Sequence, residues 1–286
     1  MALDADPDGR QDGPLDAVLP EGMARQAERT GVTKARKDAI TLIMLAALAG
    51  AFIAFGATFA ALVGADGGGG PLRMLAGLAF SLAYVLAIVG GAELFTTNNL
   101  MIMAWAHGRL SAWEVLRAWG VVFVGNFLGV AGTGAMLVFA GVPEQLDAGV
   151  GASLLKQAER IHGLGFVEAF FLGTLGNMLL CLGVWLTYSG RTTTDRILAL
   201  GPPVAAFYAL GLEHAIAVMF YLPMAVFLDL FAGEAFWQGV SAPAVAVTPT
   251  GFLTVLGSVT LGNVVGGGGL VALVYWFIYL RPDHKA

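Results

Sequence analysis

The chain has 286 residues, of which 57% are hydrophobic and only 12% charged, about half the charged share of an ordinary soluble domain. That composition excludes a water-soluble fold, and a net charge of −5 leaves no basic surface for nucleic acid. The single cysteine, Cys181, sits in an apolar run; it reads as a small core residue, and no disulfide can form within the chain.

Residues 1–19 read as a disordered acidic tail. Asp4, Asp6, Asp8, Asp12 and Asp16 face one Arg10, and Pro7, Gly9, Gly13 and Pro14 leave too little apolar surface to fold. A basic start followed by an apolar core is missing, so the first span is expected to act as the insertion signal. Residues 20–38 suit a short amphipathic helix, with Met23, Ala27 and Val32 apolar and a basic end, lying on the cytoplasmic membrane surface. From 39 to 282 the chain reads as a transmembrane domain.

Its first apolar run, 39–64, holds no charge and is long enough to cross roughly 30 Å of hydrocarbon. The glycines at 67–70 and Pro71 end it. The next run, 74–106, carries only Glu93, and at about 1.5 Å per residue a straight helix of that length would reach roughly 50 Å. It is too long for one span and too short for two. A helix interrupted near Gly90-Gly91-Ala92-Glu93 and the following Thr96, Thr97, Asn98 and Asn99 resolves the conflict, because irregular backbone is tolerated where it lines a cavity.

A third span covers 118–143 and contains Gly125-Asn126; a polar connection with Lys156, Arg160 and His162 follows. The fourth span, 165–187, contains Gly176-Asn177. Residues 197–228 are again overlong, roughly 48 Å if straight, and again interrupted, at Glu213-His214. The last span, 251–280, contains Gly262-Asn263. Gly91-Ala92-Glu93 thus matches Gly211-Leu212-Glu213, and Gly125-Asn126 matches Gly262-Asn263. Three spans per half would place two repeats in opposite directions around a midplane site, although small-residue packing alone also produces such matches. Lysine and arginine favour one side, twelve against Arg73, Lys156 and Arg160, which places both termini in the cytoplasm.

Within a span, the titratable His214 beside Glu213 marks a pathway for solutes or protons, and its ordinary pKa of about 6.5 suits proton exchange near neutrality. Thr96 and Thr97 either donate to a passing solute or cap the resumed helix. Glu93 and Glu213 resemble a carboxylate pair, but at two helix breaks they read better as acceptors for freed backbone N–H groups. Phe80, Tyr84, Phe95 and Phe207 either narrow a conduit or pack between helices. Lys156, Arg160 and His162 either draw anions into a vestibule or form a solvated loop. Metal and nucleotide motifs are missing, so no metal or cofactor is expected, and no activated nucleophile stands near His214. The residues alone read as a channel or transporter for small solutes rather than an enzyme.

Gly91-Ala92-Glu93-Leu94-Phe95-Thr96, the stretch Gly176 to Trp185, Gly211-Leu212-Glu213-His214 through Met219, and Leu261 to Gly267 resemble, in order, the signature stretches of the formate/nitrite transporter family. The resemblance covers residues 20–282. It implies an all-α membrane protein of six transmembrane helices in two inverted three-helix repeats, an aquaporin-like protomer with broken second and fifth helices. It further implies a homopentamer in the cell inner membrane, passing a small monovalent anion such as formate, nitrite, hydrosulfide or bicarbonate together with a proton.

By position, the family's central histidine falls on His214, its broken-span threonine on Thr96, its apolar constriction on Phe80, Tyr84 and Phe207, and its last-span asparagine on Asn263. The family's outer-mouth lysine falls on Ile161, flanked by Arg160 and His162. Val218 stands where an asparagine is usual, and Tyr84 where a leucine is common. The alternatives are a pore for neutral solutes such as water or ammonia, which the lost lysine and Val218 would suit, and a membrane sensor that conducts nothing.

Overall fold

The computed structural model describes residues 17–65, 69–240 and 245–281; most of the acidic tail, at 1–16, and part of the glycine turn, at 66–68, lie outside them. Every regular element among the described residues is helical. Helix α1 (Pro20–Ala35) opens on a proline and buries Met23, Ala24 and Ala27 along one face, with Val32 only partly buried. Asp38 then caps α2 (Ala39–Val63), accepting the Thr41 N–H at 2.9 Å. The hydrogen bonds from Thr41 hold the Asp38 carboxyl below the usual carboxylate range.

The overlong second run is broken as expected. Helix α3 (Gly70–Val89) stops at Gly90, and the chain resumes as α4 (Phe95–Asn98), a 3₁₀ turn (Asn99–Met101) and α5 (Ile102–Ala106). The third span, α6 (Ala112–Phe139), begins before residue 118 because Ser111 and Glu114 form a reciprocal capping box. The connection read as polar contains a helix, α7 (Gly149–His162). Its Val150, Leu154, Leu155, Ala158 and Ile161 recur at helical spacing and are all buried, a periodicity that the charges between them obscured.

Helix α8 (Phe166–Thr187) matches its expected bounds. The fifth run divides into α9 (Thr193–Ala209) and α10 (Ala215–Phe231), followed by the short α11 (Glu234–Gly239). The final span is not a uniform α-helix. It runs as α12 (Pro249–Asn263), a π-helical stretch (Val264–Leu273) and α13 (Val274–Tyr279). Four successive glycines permit that widening and a close approach: a Cβ on Gly267 would lie 2.7 Å from Cys181 Sγ and 3.1 Å from Asn99 Cβ.

Among the described residues, five helical stretches are long and apolar enough to cross a membrane: α2, α3, α6, α8 and the continuous Pro249–Tyr279; α10 is apolar but shorter. Helix α2 packs on α3 and α6, α8 packs on α9 and α12, and α3 against α9 joins the two groups. Large apolar side chains such as Phe55, Leu128, Phe171, Leu253 and Phe277 face outward. Glu93, Thr96, Asn126, Asn177, Glu213, His214 and Asn263 are buried inside. Apolar outside and polar within is the arrangement a lipid solvent requires.

Candidate functional site

A helix that stops inside a membrane frees backbone groups that no water can satisfy, at several kcal/mol each. Both breaks meet this problem with the same bonds. At the first, Gly91 takes φ +80°, a left-handed conformation that glycine adopts without penalty. The N–H of Ala92 donates to Ala87 O at 2.8 Å, and that of Glu93 to Leu45 O at 3.2 Å. Asn126 Oδ1 accepts the freed N–H of Phe95 at 2.9 Å, while its Nδ2 donates to Ala46 O and Glu93 O, both at 2.8 Å.

The second break repeats these bonds one by one. Gly211 has φ +69°, Leu212 N–H donates to Phe207 O at 3.2 Å and Glu213 N–H to Leu172 O at 3.3 Å. Asn263 Oδ1 accepts from Ala215 N–H at 2.8 Å, and its Nδ2 donates to Gly173 O at 2.9 Å and Glu213 O at 3.4 Å. All the hydrogen-bonding atoms of the Asn263 side chain are therefore committed to backbone.

The two glutamates do not accept the freed N–H groups, contrary to expectation; the asparagines do. A neutral amide offers an acceptor and donors at once, which a break exposing both N–H and C=O needs. The carboxylates face cations instead. Glu93 pairs with Lys37 Nζ at 2.8 Å, from the turn between α1 and α2, and with Lys34 Nζ at 2.9 Å, from the last turn of α1, and Glu213 pairs with Arg160 from α7. A cavity of about 400 Å³ opens at the first pair, lined by Arg29, Lys34, Lys37, Glu93, Tyr188 and Arg196 among others. A narrower one of about 30 Å³ lies at the second, lined by Arg73, Gln157, Arg160, Tyr208, Glu213 and Tyr221, and ends on Phe80 and Phe207. They sit at opposite ends of α3, since Arg73 belongs to its first turn and Gly91 follows its last.

Between the two cavities three of the four aromatic candidates converge on one imidazole. His214 is fully buried, with ring centroids 5.3 Å from Phe207, 5.9 Å from Phe80 and 6.2 Å from Tyr84. It is the N-cap of α10: its Nδ1 accepts the Ala217 N–H at 3.4 Å. A neutral ring accepting at Nδ1 carries its proton on Nε2. Tyr84 Oη lies beside Thr96. Among the described residues, His214 Nε2, Thr96 Oγ1 and Tyr84 Oη are buried without a hydrogen-bond partner of good geometry. Thr97, by contrast, is occupied, donating to Leu94 O at 3.2 Å. Neither threonine caps the resumed helix, whose N-cap is Leu94.

The residues expected at the outer mouth separate. Arg160 lines the narrow cavity, but Ile161 is fully buried in the core and His162 packs against Gly251 at the start of α12. Spacing back from Asn177 thus led to a residue that faces the core, while its neighbour Arg160 faces the cavity. Phe95 also lies off the neck, packed on Trp119 and Phe123. Sequence reasoning passed over Lys34, Lys37, Arg73 and the bracing roles of Asn126 and Asn177. Asn177 Nδ2 donates to Thr96 O at 3.1 Å and Asn263 O at 2.8 Å, tying the two breaks together. The thrice-repeated Gly-Asn pair was the available signal.

Comparison with known proteins agrees with this architecture. The family model described as formate/nitrite transporter matches residues 21–277. The formate channel FocA of Escherichia coli K12 is 38% identical over 284 residues, covering 96% of this chain and 99% of the relative. The formate channel FocA of Haemophilus influenzae is 34% identical, covering 94% and 96%. Among solved structures, a pentameric formate channel with formate bound aligns with a TM-score of 0.78 at 36% identity, covering 85% of this chain and 98% of that one. With the match running from the first helix almost to the last, the chain belongs to the formate/nitrite transporter family.

Proposed function

We propose that this chain is a membrane channel for small monovalent anions of weak acids, formate and nitrite first, which pass His214 as neutral acids accompanied by a proton. The observation that carries this reading is the neck. A cation-lined cavity ends on Phe80 and Phe207, and both rings lie against the imidazole of His214, whose Nε2 is without a protein partner. Burying an isolated ion in low dielectric costs tens of kcal/mol, whereas a neutral acid loses only hydrogen bonds, at a few kcal/mol each. An anion is drawn in by Arg73 and Arg160, takes up a proton from the water of the outer solution before the aromatic layer, and crosses while its acceptor oxygen meets His214 Nε2–H and its hydroxyl meets Thr96. Beyond Thr96 it ionises again in the cavity lined by Lys34 and Lys37. No bond other than O–H is made or broken, so no catalytic residue is assigned.

The same reading makes residues 39–282 the channel domain, with six crossings in two inverted halves and the second and fifth crossings broken. The paired hydrogen bonds of Asn126 and Asn263 support that symmetry, and they make Asn263 a brace of the pathway rather than a group facing the solute. The assembly is a homopentamer with one pathway per protomer, as the pentameric structural neighbour suggests. The excess of lysine and arginine on one side of the crossings supports a channel in the inner membrane with both termini in the cytoplasm.

Proteoliposomes holding the intact assembly test this. Formate and nitrite flux is expected to rise when a pH gradient favours the neutral acid on the entry side. Flux of formate, nitrite and bicarbonate that all ignore the gradient would overturn neutral-acid passage.

A further inference from the structure

The passage described above uses His214 and Thr96, but a third polar group stands in the neck. Tyr84 lies one turn beyond Phe80 on α3 and is fully buried, with its hydroxyl beside Thr96. We propose that the Tyr84 hydroxyl is a specificity-determining group that, with Thr96 and His214, favours oxygen acids such as formic and nitrous acid over hydrogen sulfide.

The three groups are chemically complementary. His214 presents a donor, because its Nδ1 is taken by Ala217 N–H, whereas the Thr96 and Tyr84 hydroxyls each donate and accept. All three are held in place. The Thr96 carbonyl accepts from Asn99 at 3.0 Å and Asn177 at 3.1 Å. The Tyr84 ring is set edge-on to His214 at 80° and rests against Phe80 at 6.3 Å. An oxygen acid brings one O–H donor and two oxygens rich in lone pairs, so it can satisfy all three at once. Hydrogen sulfide is a weak donor and a weak acceptor; it leaves the neck's polar atoms poorly paired, and a buried polar group without a partner is costly. Val218, one helical turn after His214 and fully buried, adds no competing polar group.

This rests on the weak-acid passage proposed above, and one experiment separates the two. Formate, nitrite and hydrosulfide fluxes are measured in proteoliposomes for the parent, Tyr84→Phe and Tyr84→Leu, each verified as the intact assembly. Tyr84→Phe, which removes one oxygen, is expected to lower formate and nitrite flux about three- to ten-fold, the effect of one buried hydrogen bond, while hydrosulfide stays within about two-fold. Tyr84→Leu is expected to lower the formate-to-hydrosulfide ratio in the same direction, whatever the wider neck does to absolute rates. If both variants keep the parent's ratio, the hydroxyl does not select and this proposal fails while weak-acid passage stands. If the parent carries none of the three solutes, the passage itself fails and this proposal with it.

Discussion

The break after α3 and the break after α9 are built from the same backbone bonds, yet their side chains differ where chemistry would occur. Each has a left-handed glycine, a glutamate bonded to the neighbouring helix, and an asparagine accepting the first freed N–H. The residue after the glutamate is Leu94 at one and His214 at the other, and Thr96 on the first corresponds to Ile216 on the second. One break thus brings a hydroxyl and the other an imidazole to a single neck. Their ion pairs differ as well: Glu93 meets two lysines, one in the N-terminal helix and one in the turn that follows it, and Glu213 one arginine from α7. The scaffold is repeated and, on the passage proposed above, the function is divided, because backbone satisfaction is needed at every break and a solute-facing group only where that passage would run.

Four experiments bear on this comparison, from the largest effect to the smallest. Asn126→Leu and Asn263→Leu should each destabilise the folded channel by about 3–5 kcal/mol, since each orphans two or more buried polar groups. Thermal unfolding in detergent measures both, and clearly unequal losses would break the equivalence of the two braces. His214→Asn keeps an N-cap acceptor but removes the imidazole. It should cut formate flux by roughly 30- to 150-fold, corresponding to about 2–3 kcal/mol, whereas Leu94→Ala at the matching position should leave flux largely intact. Equal effects on flux would erase the functional asymmetry.

The ion pairs give a smaller contrast. Arg160→Ala leaves Glu213 buried without its ion-pair partner, and should destabilise by about 2 kcal/mol, below the usual loss for a fully buried pair because Arg160 is half exposed. Lys37→Ala should cost about 1 kcal/mol or less, since Lys34 still pairs with Glu93. Chemical unfolding midpoints rank the two. The smallest effects come from Gly91→Ala and Gly211→Ala, each about 1 kcal/mol for a left-handed alanine. The Gly211 change should be the worse, because its Cβ would lie 3.2 Å from Arg73 Nη2 whereas that of Gly91 meets open space.

Much of the architecture was legible in the chain. Two overlong apolar runs fixed the positions of both breaks, and residue-by-residue family resemblance gathered His214, Thr96, Phe80, Tyr84 and Phe207. The helix α7 was not, because its charges mask an apolar stripe. Nor was the π-helical widening at Val264–Leu273, since a run of glycines fits an ordinary small-residue interface equally well. Ile161 was assigned to the outer mouth yet lies in the core, while Arg160 lines the narrow cavity, because a linear count cannot tell which face of α7 turns inward.

Apolar length and charge scarcity settled, from the sequence alone, that this protein is helical, membrane-embedded and twice interrupted, since hydrocarbon thickness and backbone hydrogen bonding leave a long apolar segment few options. Which group answers each interruption was decided only by the tertiary structure. Asn126 and Asn263 reach the breaks from α6 and α12, and Lys34, Lys37 and Arg160 reach the glutamates from α1, the turn after it and α7. Those partners lie tens of residues away along the chain, and a hydrogen bond depends on angstroms in space rather than on separation in sequence.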